Sequence, residues 1–411
     1  MGLFVVMVNT AALWKRENLV ITIIIAMIAG LFFSRAVLST GIILLFLFTI
    51  NAIRGSHAKA LLPKAWEQYN YLLLLLFVIP LISGLWSNNL PEWWQRCAVK
   101  LPFALLPLVF SFLIINKQQY MLVCAIFILL VFTGTICSFA LYINNSALIE
   151  AGYFRSVLLQ VWMNNDHVLF SWAVVIAILL IIVLYPQLNK GFKILGIIII
   201  CCFILFLHLL AARTGLISLY TVGLLWLVKK LRSGNFRIAF LIIGVLISIP
   251  ILAYFTIPTF HNRALYALYD LQHYSRGNYQ AGFSDVSRIV SYEGGISIAM
   301  NNFLSGVGFG DISGSMQHFY DSNYQSFPAY NRLLPHNEWL MYFCGAGIFA
   351  LIIFTYIVFY PLFMNRKFCW ISFHFTALIC FFTDATFETQ NGVFLYCFFL
   401  LWIRFGLEKI I

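Results

Sequence analysis

Residues 168–185 read VLFSWAVVIAILLIIVLY, eighteen consecutive residues without a charged side chain. About 20 apolar residues in a helix cross the hydrocarbon core of a bilayer, so this run predicts a transmembrane helix. Over the whole chain, 62% of residues are hydrophobic and 9% are charged. These proportions exclude an ordinary soluble globular protein. The apolar runs are continuous rather than alternating, which favours helices over a transmembrane barrel.

Comparable apolar runs recur on both sides of this segment. We predict an all-α integral membrane protein with about twelve transmembrane helices. They lie at about residues 19–34, 36–53, 70–86, 99–115, 120–143, 167–185, 191–210, 214–230, 236–255, 338–363, 368–384 and 391–407. Residues 256–335 are the one long polar stretch, predicted to be a large extracytoplasmic loop containing short helices. The loop separates a block of about nine helices (1–255) from a block of about three (336–411).

The distribution of charge predicts how the chain is oriented. With a cytoplasmic N-terminus and twelve alternating spans, the inner segments hold 16 of the 25 basic residues but only three of the 14 acidic ones. An excess of Lys and Arg in short loops marks the cytoplasmic side of a membrane. We therefore expect both termini in the cytoplasm. The net charge of +11 reflects this orientation rather than nucleic-acid binding.

Two arginines are candidate anion ligands. Arg213 lies within the apolar blocks with no acidic residue near it in sequence, and an arginine at membrane depth is costly unless it faces protein or water. It is either a turn residue that reaches the outer interface or a ligand for phosphate oxygens, which the planar guanidinium fits. Arg288 lies in a predicted helix at 284–301. It is either a second anion ligand or the partner of Asp285 in a surface pair.

His336 is a candidate general base. It stands between Pro335 and Asn337, at the predicted start of a transmembrane helix that Asn337 caps. A lone histidine at a helix start is more often structural or solvated than catalytic. A neutral imidazole here is nevertheless suited to accept a proton from a hydroxyl group. We predict no metal site, because the other histidines on the same side have no ligand spacing.

Other polar residues near the outer face each have two interpretations. Arg96 and Lys100 follow a tryptophan cluster, so they either anchor the chain at the headgroup level or contact lipid phosphates. Two groups of polar residues adjoin predicted spans: Asn164-Asn165-Asp166-His167 before one, and Asp384, Glu388 and Gln390 before another. Each group either caps a helix and adds interface polarity or lines the same cavity as His336. The glycine-rich segment 303–311 either cradles a phosphate or forms a turn that packs against the membrane surface.

The order of these segments resembles the O-antigen ligase and polymerase superfamily of bacterial envelope glycosyltransferases. The resemblance covers about residues 205–350. It is carried by Ala212-Arg213-Thr214-Gly215, Ser287-Arg288, Tyr292-Glu293, Leu304–Gly310, Pro335-His336-Asn337-Glu338 and Gly345-Ala346-Gly347. It implies that Arg213 and Arg288 bind a polyisoprenyl (undecaprenyl) pyrophosphate that carries a glycan. His336 would then activate or orient the acceptor hydroxyl.

The resemblance also implies direct, inverting transfer without a metal or other cofactor. Arg263 and Arg276 are candidate contacts for an acidic sugar or an acceptor phosphate. The candidate supporting residues are Tyr292, Glu293, Asn337 and Glu338, together with Asp384 and His167.

Three activities share this layout within the superfamily: ligation of O-antigen to lipid A–core, polymerisation of repeat units and transfer of glycans to protein. One dominant outer loop and no added C-terminal domain favour a ligase in the bacterial inner membrane with its site facing the periplasm. A lipid-linked sugar transporter or flippase is the alternative from another class. The unequal division of the spans and the gathering of unusual polar residues at one face favour an enzyme over a transporter.

Overall fold

The computed structural model of the chain describes residues 2–54, 68–155, 157–275, 284–325, 327–329 and 332–409. Within these residues the regular structure is helical, and no β-strand is present. The predicted all-α class is therefore confirmed. The α-helices, numbered in chain order, are α1 (Gly2–Phe33), α2 (Arg35–Arg54), α3 (Gln68–Ile82), α4 (Leu90–Lys100), α5 (Pro102–Ser111), α6 (Lys117–Asn144), α7 (Ser146–Gly152), α8 (His167–Leu184), α9 (Lys190–Leu210), α10 (Arg213–Arg232), α11 (Phe236–Thr256), α12 (Pro258–Ser275), α13 (Ser284–Asn301), α14 (Ile312–Asn323), α15 (Glu338–Phe359), α16 (Pro361–Met364), α17 (Phe368–Thr383) and α18 (Gln390–Lys409).

Seven helices in the described part of the chain are long and apolar enough to cross a membrane: α6, α8, α9, α10, α11, α15 and α18. The protein is thus a multi-pass membrane protein, as predicted. The count of twelve spans is not confirmed. Four of the other predicted spans correspond to shorter apolar helices, at Asn18–Phe33, Arg35–Asn51, Leu72–Leu85 and Phe368–Thr383.

The predicted span at 99–115 differs most from the observed structure. It is divided between the end of α4 and α5, which has only ten residues. Ten helical residues extend about 15 Å, half the thickness of a typical hydrocarbon core. Pro102 begins α5, and proline is favoured at the first position of a helix, so the sequence starts a new helix here.

Helix α8 lies at the centre of the bundle. Nearly every side chain from Leu169 to Leu184 is buried, and α6, α9, α10, α17 and α18 pack around it. A helix that is apolar on all sides is stable only when it is surrounded in this way or by lipid. By contrast, α11 buries few side chains, among them Ala239 and Ile242. Its remaining apolar surface is suited to contact lipid.

Three helices, α12, α13 and α14, lie in the predicted outer loop. The predicted helix at 284–301 is confirmed, because α13 spans Ser284–Asn301. Val286 and Val290 on its apolar stripe are fully buried, and α13 packs against α15. The extracytoplasmic position of this loop stays a prediction.

The glycine-rich turn between α13 and α14 packs against a break in α15. Gly347 interrupts the helical geometry of α15 with a φ of 77°. Beside this break, the amides of Val307 and Gly308 donate to the carbonyl oxygens of Cys344 and Gly345 over 2.8 and 3.0 Å. The two segments therefore pair through their backbones.

The neighbouring amides of this turn are also bonded within the protein. Phe309 N donates to the hydroxyl of Ser83 over 3.1 Å, and Gly310 N donates to that of Ser87 over 3.2 Å. A phosphate cradle requires free amides. The interpretation of this segment as a phosphate cradle is therefore wrong. The turn instead fastens α14 to α15 and to the segment after α3.

Candidate active site

The start of α15, the end of α17 and the middle of α13 meet around His336. As predicted, Asn337 caps α15, where its Oδ1 accepts a first-turn backbone amide over 3.1 Å. Nδ2 of Asn337 and the hydroxyl of Tyr292 both donate to the carbonyl oxygen of Phe382, over 3.3 and 3.0 Å. These bonds hold the end of α17 against α13 and the start of α15. Asp384, the residue after α17, is thereby placed beside His336.

His336 and Asp384 form the central pair of the site. Nδ1 of His336 lies 2.9 Å from Oδ1 of Asp384, and the two side chains are 23% and 18% exposed. The contact lacks the geometry of a hydrogen bond, but a negative carboxylate this close to Nδ1 favours the imidazole tautomer with the proton on that nitrogen. Nε2 then carries the free lone pair. The pair is therefore suited to accept a proton from a hydroxyl group.

Asp166 is a second carboxylate close to this pair. Its Oδ1 accepts the amide of Leu169 over 2.9 Å and so caps α8. Burial, followed by the negative charge of Asp384, raises the pKa of Asp166 to about 6. The preceding residues 163–165 all have left-handed φ angles, between 59° and 63°. Such a conformation is retained where the surrounding structure fixes it.

Arg213 is the first residue of α10, after a turn in which Ala211 has a φ of 50°. Its guanidinium forms two hydrogen bonds to the carboxylate of Asp285, and one of them joins Nη2 to Oδ2 over 2.7 Å. The acidic partner missing from the neighbouring sequence is thus supplied by α13. A two-bond pair fixes the plane of the guanidinium. The side chain remains 35% exposed, so its other N–H groups can reach a ligand.

Arg263 and Arg288 lie near Arg213, and we call the three the arginine cluster. The other predicted contact, Arg276, lies outside the described residues. Within the described residues, the guanidinium of Arg288 forms no hydrogen bond or ion pair, and its predicted partner Asp285 is paired with Arg213 instead. Burial lowers the pKa of Arg263, and the positive charges of Arg213 and Arg288 lower it further. Its guanidinium lies 5.5 Å from the ring centroid of Tyr266. Three neighbouring cations attract an anion.

Two contacts join the arginine cluster to the histidine–aspartate pair. The hydroxyls of Thr214 and Thr383, each next in sequence to a site residue, are 3.0 Å apart. Tyr292 lies within electrostatic reach of both groups. Burial has the largest effect on the pKa of Tyr292 and raises it, while the positive charge of Arg288 lowers this pKa and the negative charge of Asp384 raises it. The structure therefore brings Arg288 and Asp384 to one site.

Arg96 and Lys100 belong to a separate, buried ion network. Nζ of Lys100 lies 2.6 Å from Oε1 of Glu388, and Arg96 bonds to the other oxygen of that carboxylate. Arg96 also donates to Glu92 over 2.7 Å and to Ser313 over 2.9 Å. Burial alone would raise the pKa of Glu388, but Lys100 and Arg96 hold it below its ordinary value. In this arrangement the two cations face carboxylates rather than lipid phosphates.

Three other predicted supporting residues make structural contacts. Glu338 is fully buried, and its Oε2 accepts the amide of Phe387 over 2.9 Å. Glu293 accepts the hydroxyl of Tyr324 over 2.5 Å. Nε2 of His167 lies 2.9 Å from a backbone carbonyl oxygen. In the described part of the chain, no group of three or more His, Cys, Asp or Glu residues is arranged to hold a metal ion.

Two further aspartates lie near the site. Asp166 belongs to the predicted segment 164–167, interpreted either as a helix cap or as cavity lining, and the structure shows it both capping α8 and lying close to Asp384. Asp270 was not among the predicted residues. Asp270 is fully buried, and its Oδ2 accepts the amide of Asp285 over 2.8 Å, which fixes the start of α13. Burial raises the pKa of Asp270. No local pattern distinguishes this aspartate from a surface residue of α12.

The fold and these contacts define a multi-pass helical membrane protein with an arginine cluster beside a histidine–aspartate pair. A protein-family model described as O-antigen ligase matches residues 197–355, a segment that contains Arg213, Arg288 and His336. The resemblance to the O-antigen ligase superfamily is therefore confirmed. It indicates a membrane enzyme of the glycosyltransferase type, with a lipid-linked glycan and an acceptor as its general partners. The chain has no significant match among curated proteins.

Proposed function

We propose that the protein transfers a glycan from undecaprenyl pyrophosphate to a hydroxyl group of lipid A–core, at the outer face of the bacterial inner membrane. The observation that carries the proposal is the 2.9 Å contact of His336 with Asp384 beside the arginine cluster. A base next to an anion site fits a reaction in which a hydroxyl loses its proton while a pyrophosphate leaves. The identities of donor and acceptor rest on the family resemblance.

The first part of the reaction is deprotonation of the acceptor. The acceptor hydroxyl gives its proton to Nε2 of His336, and its oxygen forms a bond to the anomeric carbon of the donor. The bond from that carbon to the pyrophosphate oxygen breaks, and the leaving group keeps the electron pair. Attack from the opposite face inverts the configuration. Asp384 holds the imidazole ring in orientation and stabilises the imidazolium.

The leaving undecaprenyl pyrophosphate is stabilised by the arginine cluster. The guanidinium of Arg288 forms no hydrogen bond or ion pair with a described residue. A guanidinium presents five donors in a geometry suited to phosphate. Arg213 offers the N–H groups that face away from Asp285. Arg263 adds positive charge from a more buried position. In this scheme the arginines supply the charge neutralisation that a metal ion supplies in other enzymes.

The proposed orientation follows from the two ends of the bundle. The site gathers the starts of α8, α10 and α15 with the end of α17. The last turn of α10, at the other end, carries Lys229, Lys230 and Arg232. We assign that basic end to the cytoplasm with both termini, and residues 256–335 to the periplasm. The helical blocks 1–255 and 336–411 are then the two membrane domains.

A transfer assay with three acceptors tests the proposal. Purified protein in vesicles receives an undecaprenyl-pyrophosphate-linked glycan and lipid A–core, a growing glycan or a pilin-like protein, and covalent transfer is measured by mass spectrometry. Transfer to lipid A–core supports a ligase. Transfer to the growing glycan alone would assign a polymerase, and transfer to protein alone a protein glycosyltransferase. Glycan that crosses the vesicle membrane without any transfer would contradict the proposal and establish a transporter.

A further inference from the structure

A second concave site lies at the opposite end of the bundle from the arginine cluster. It is a cavity of about 500 Å³ bounded by the ends of α8, α10 and α18 and the start of α17. Four cationic side chains line it: Lys229, Arg232, Arg366 and Lys367. Two come from the last turn of α10, and two from the residues before α17. The cavity therefore gathers cations from separate parts of the sequence.

The positive charge of this cavity is not neutralised by the described part of the protein. Among the described residues that line the cavity there is no carboxylate, and none of the four cations forms an ion pair with a described side chain. Nζ of Lys367 donates to the carbonyl oxygen of Leu407 over 2.7 Å. Nζ of Lys229 lies 5.4 Å from the ring centroid of Phe368. These contacts position the two ammonium groups and leave their charge available to an anion.

The rest of the cavity wall is apolar. Ile182, Leu225 and Ile371 are among the residues that line it. A soluble inorganic anion makes no favourable contact with apolar side chains. A phospholipid, by contrast, presents a charged phosphate next to hydrocarbon. The general excess of cations on the inner side of membrane proteins explains basic residues at this end. It does not explain why four of them surround one partly apolar cavity whose described lining includes no carboxylate.

We propose that this cavity binds the headgroup phosphate of an anionic phospholipid. The cavity lies at the ends of membrane-spanning helices, where headgroups lie in a bilayer, and basic pockets between such helices suit anionic headgroups. The four cations contact the phosphate, and the apolar wall receives the upper part of an acyl chain. This site is independent of the proposed glycan transfer, because it lies at the other end of the bundle.

The test measures lipid binding to the full-length, delipidated protein in detergent. Phosphatidylglycerol or phosphatidylcholine is titrated in, and bound lipid is counted by native mass spectrometry. The cavity variant Arg232→Gln/Arg366→Gln/Lys367→Gln is compared with a control, Lys190→Gln/Lys193→Gln/Arg237→Gln, which removes three cations from the same end of the bundle. We expect the cavity variant to bind phosphatidylglycerol at least about tenfold more weakly, and the control to change less than about twofold.

Three results would overturn the proposal. An equal loss in both triple variants would mean that only the general surface charge matters. Phosphatidylcholine binding as tight as phosphatidylglycerol binding would remove the role of the anionic headgroup. Displacement of the lipid by millimolar inorganic phosphate would assign the cavity to a soluble anion. If the triple cavity variant does not fold, exposed Arg366→Gln is compared with Lys190→Gln in the same titration, and equal affinities there would also contradict the proposal.

Discussion

Nδ1 of His336 lies 2.9 Å from Oδ1 of Asp384, a contact that joins the start of α15 to the end of α17. The contact favours Nε2 as the free imidazole nitrogen, because the negative carboxylate stabilises a proton on the nearer nitrogen, Nδ1. The proposed reaction depends on that choice, since only an unprotonated Nε2 can deprotonate the acceptor.

The first prediction concerns this pair. His336→Ala should lower the rate of glycan transfer by about 10²–10⁴-fold, the usual contribution of a general base. Asp384→Asn should lower kcat by about 10²-fold or more with little change in the donor KM, because the amide favours the wrong tautomer. Initial rates at saturating donor measure both effects. Wild-type rates in either variant would refute the assigned roles.

The second prediction separates Arg213 from Arg288, the two half-buried arginines of the cluster. Arg288→Gln should abolish most transfer without lowering Tm, because its guanidinium has no described protein partner. Arg213→Gln should lower both the rate of transfer and Tm. It leaves the carboxylate of Asp285 unpaired, which costs about 1–3 kcal/mol. The double variant Arg213→Gln/Asp285→Asn should regain Tm but not activity. An equal loss of Tm in the two single variants would contradict this assignment.

The local features of the site were predictable from sequence, because they depend on periodicity and capping. The apolar stripe of residues 284–301 predicts α13, and an asparagine before an apolar run predicts the cap of α15. Partners distant in sequence were not predictable. Asp285 lies 72 residues from Arg213 along the chain, so its pairing is set by how α10 and α13 pack.

The burial of Arg96 and Lys100 shows the same limit. A cluster of Trp, Arg and Lys indicates a membrane interface, but Glu388 lies 288 residues beyond Lys100 and reaches it only through tertiary structure. The division of the predicted span at 99–115 is different in kind. Pro102 is a local signal for the start of a new helix, but the prediction followed the long apolar run and placed one continuous span there.

The third prediction concerns the pH dependence of stability. An ordinary aspartate has a pKa of about 3.9, whereas burial and then Asp384 raise that of Asp166 to about 6. The folded protein therefore binds this proton more tightly, and the stabilisation is fully present below about pH 4 and lost as the pH rises through about 6. Asp166→Asn keeps a capping residue but does not titrate. The variant should gain Tm relative to wild type as the pH rises across that window. A constant difference in Tm between the variant and wild type from about pH 4 to 7 would argue against this role of Asp166.

The fourth prediction concerns the buried ion network. Lys100→Met should destabilise the protein by about 3–5 kcal/mol, because it removes one partner of a buried pair and leaves the charge of Glu388 incompletely compensated. Lys100→Met/Glu388→Gln should recover part of that loss. Denaturant titration at a fixed detergent concentration measures the free energy of unfolding of both variants. The network would have no such role if Lys100→Met lowered the free energy of unfolding no more than Lys190→Met, which changes an exposed lysine.

The fifth prediction concerns the break in α15. A Cβ atom at Gly347 would lie 2.0 Å from the carbonyl oxygen of Leu304, and its φ of 77° disfavours any other residue. Gly347→Ala should therefore lower Tm and separate the glycine-rich turn from α15. Gly314→Ala, in the first turn of α14, is the control, because a Cβ there meets nothing within 4 Å. It should leave Tm unchanged or raise it slightly. Equal behaviour of the two variants would mean that the turn does not depend on this close approach.

The most direct test of the central claim is single-turnover transfer from undecaprenyl-pyrophosphate-linked glycan to lipid A–core by wild type, His336→Ala and Arg288→Gln. Arg237→Gln, which removes a cation at the opposite end of the bundle, is the control. The proposed mechanism predicts that both site variants fold but transfer at least about 10²-fold more slowly, while the control transfers like wild type. Wild-type transfer by the folded His336→Ala and Arg288→Gln proteins would contradict it.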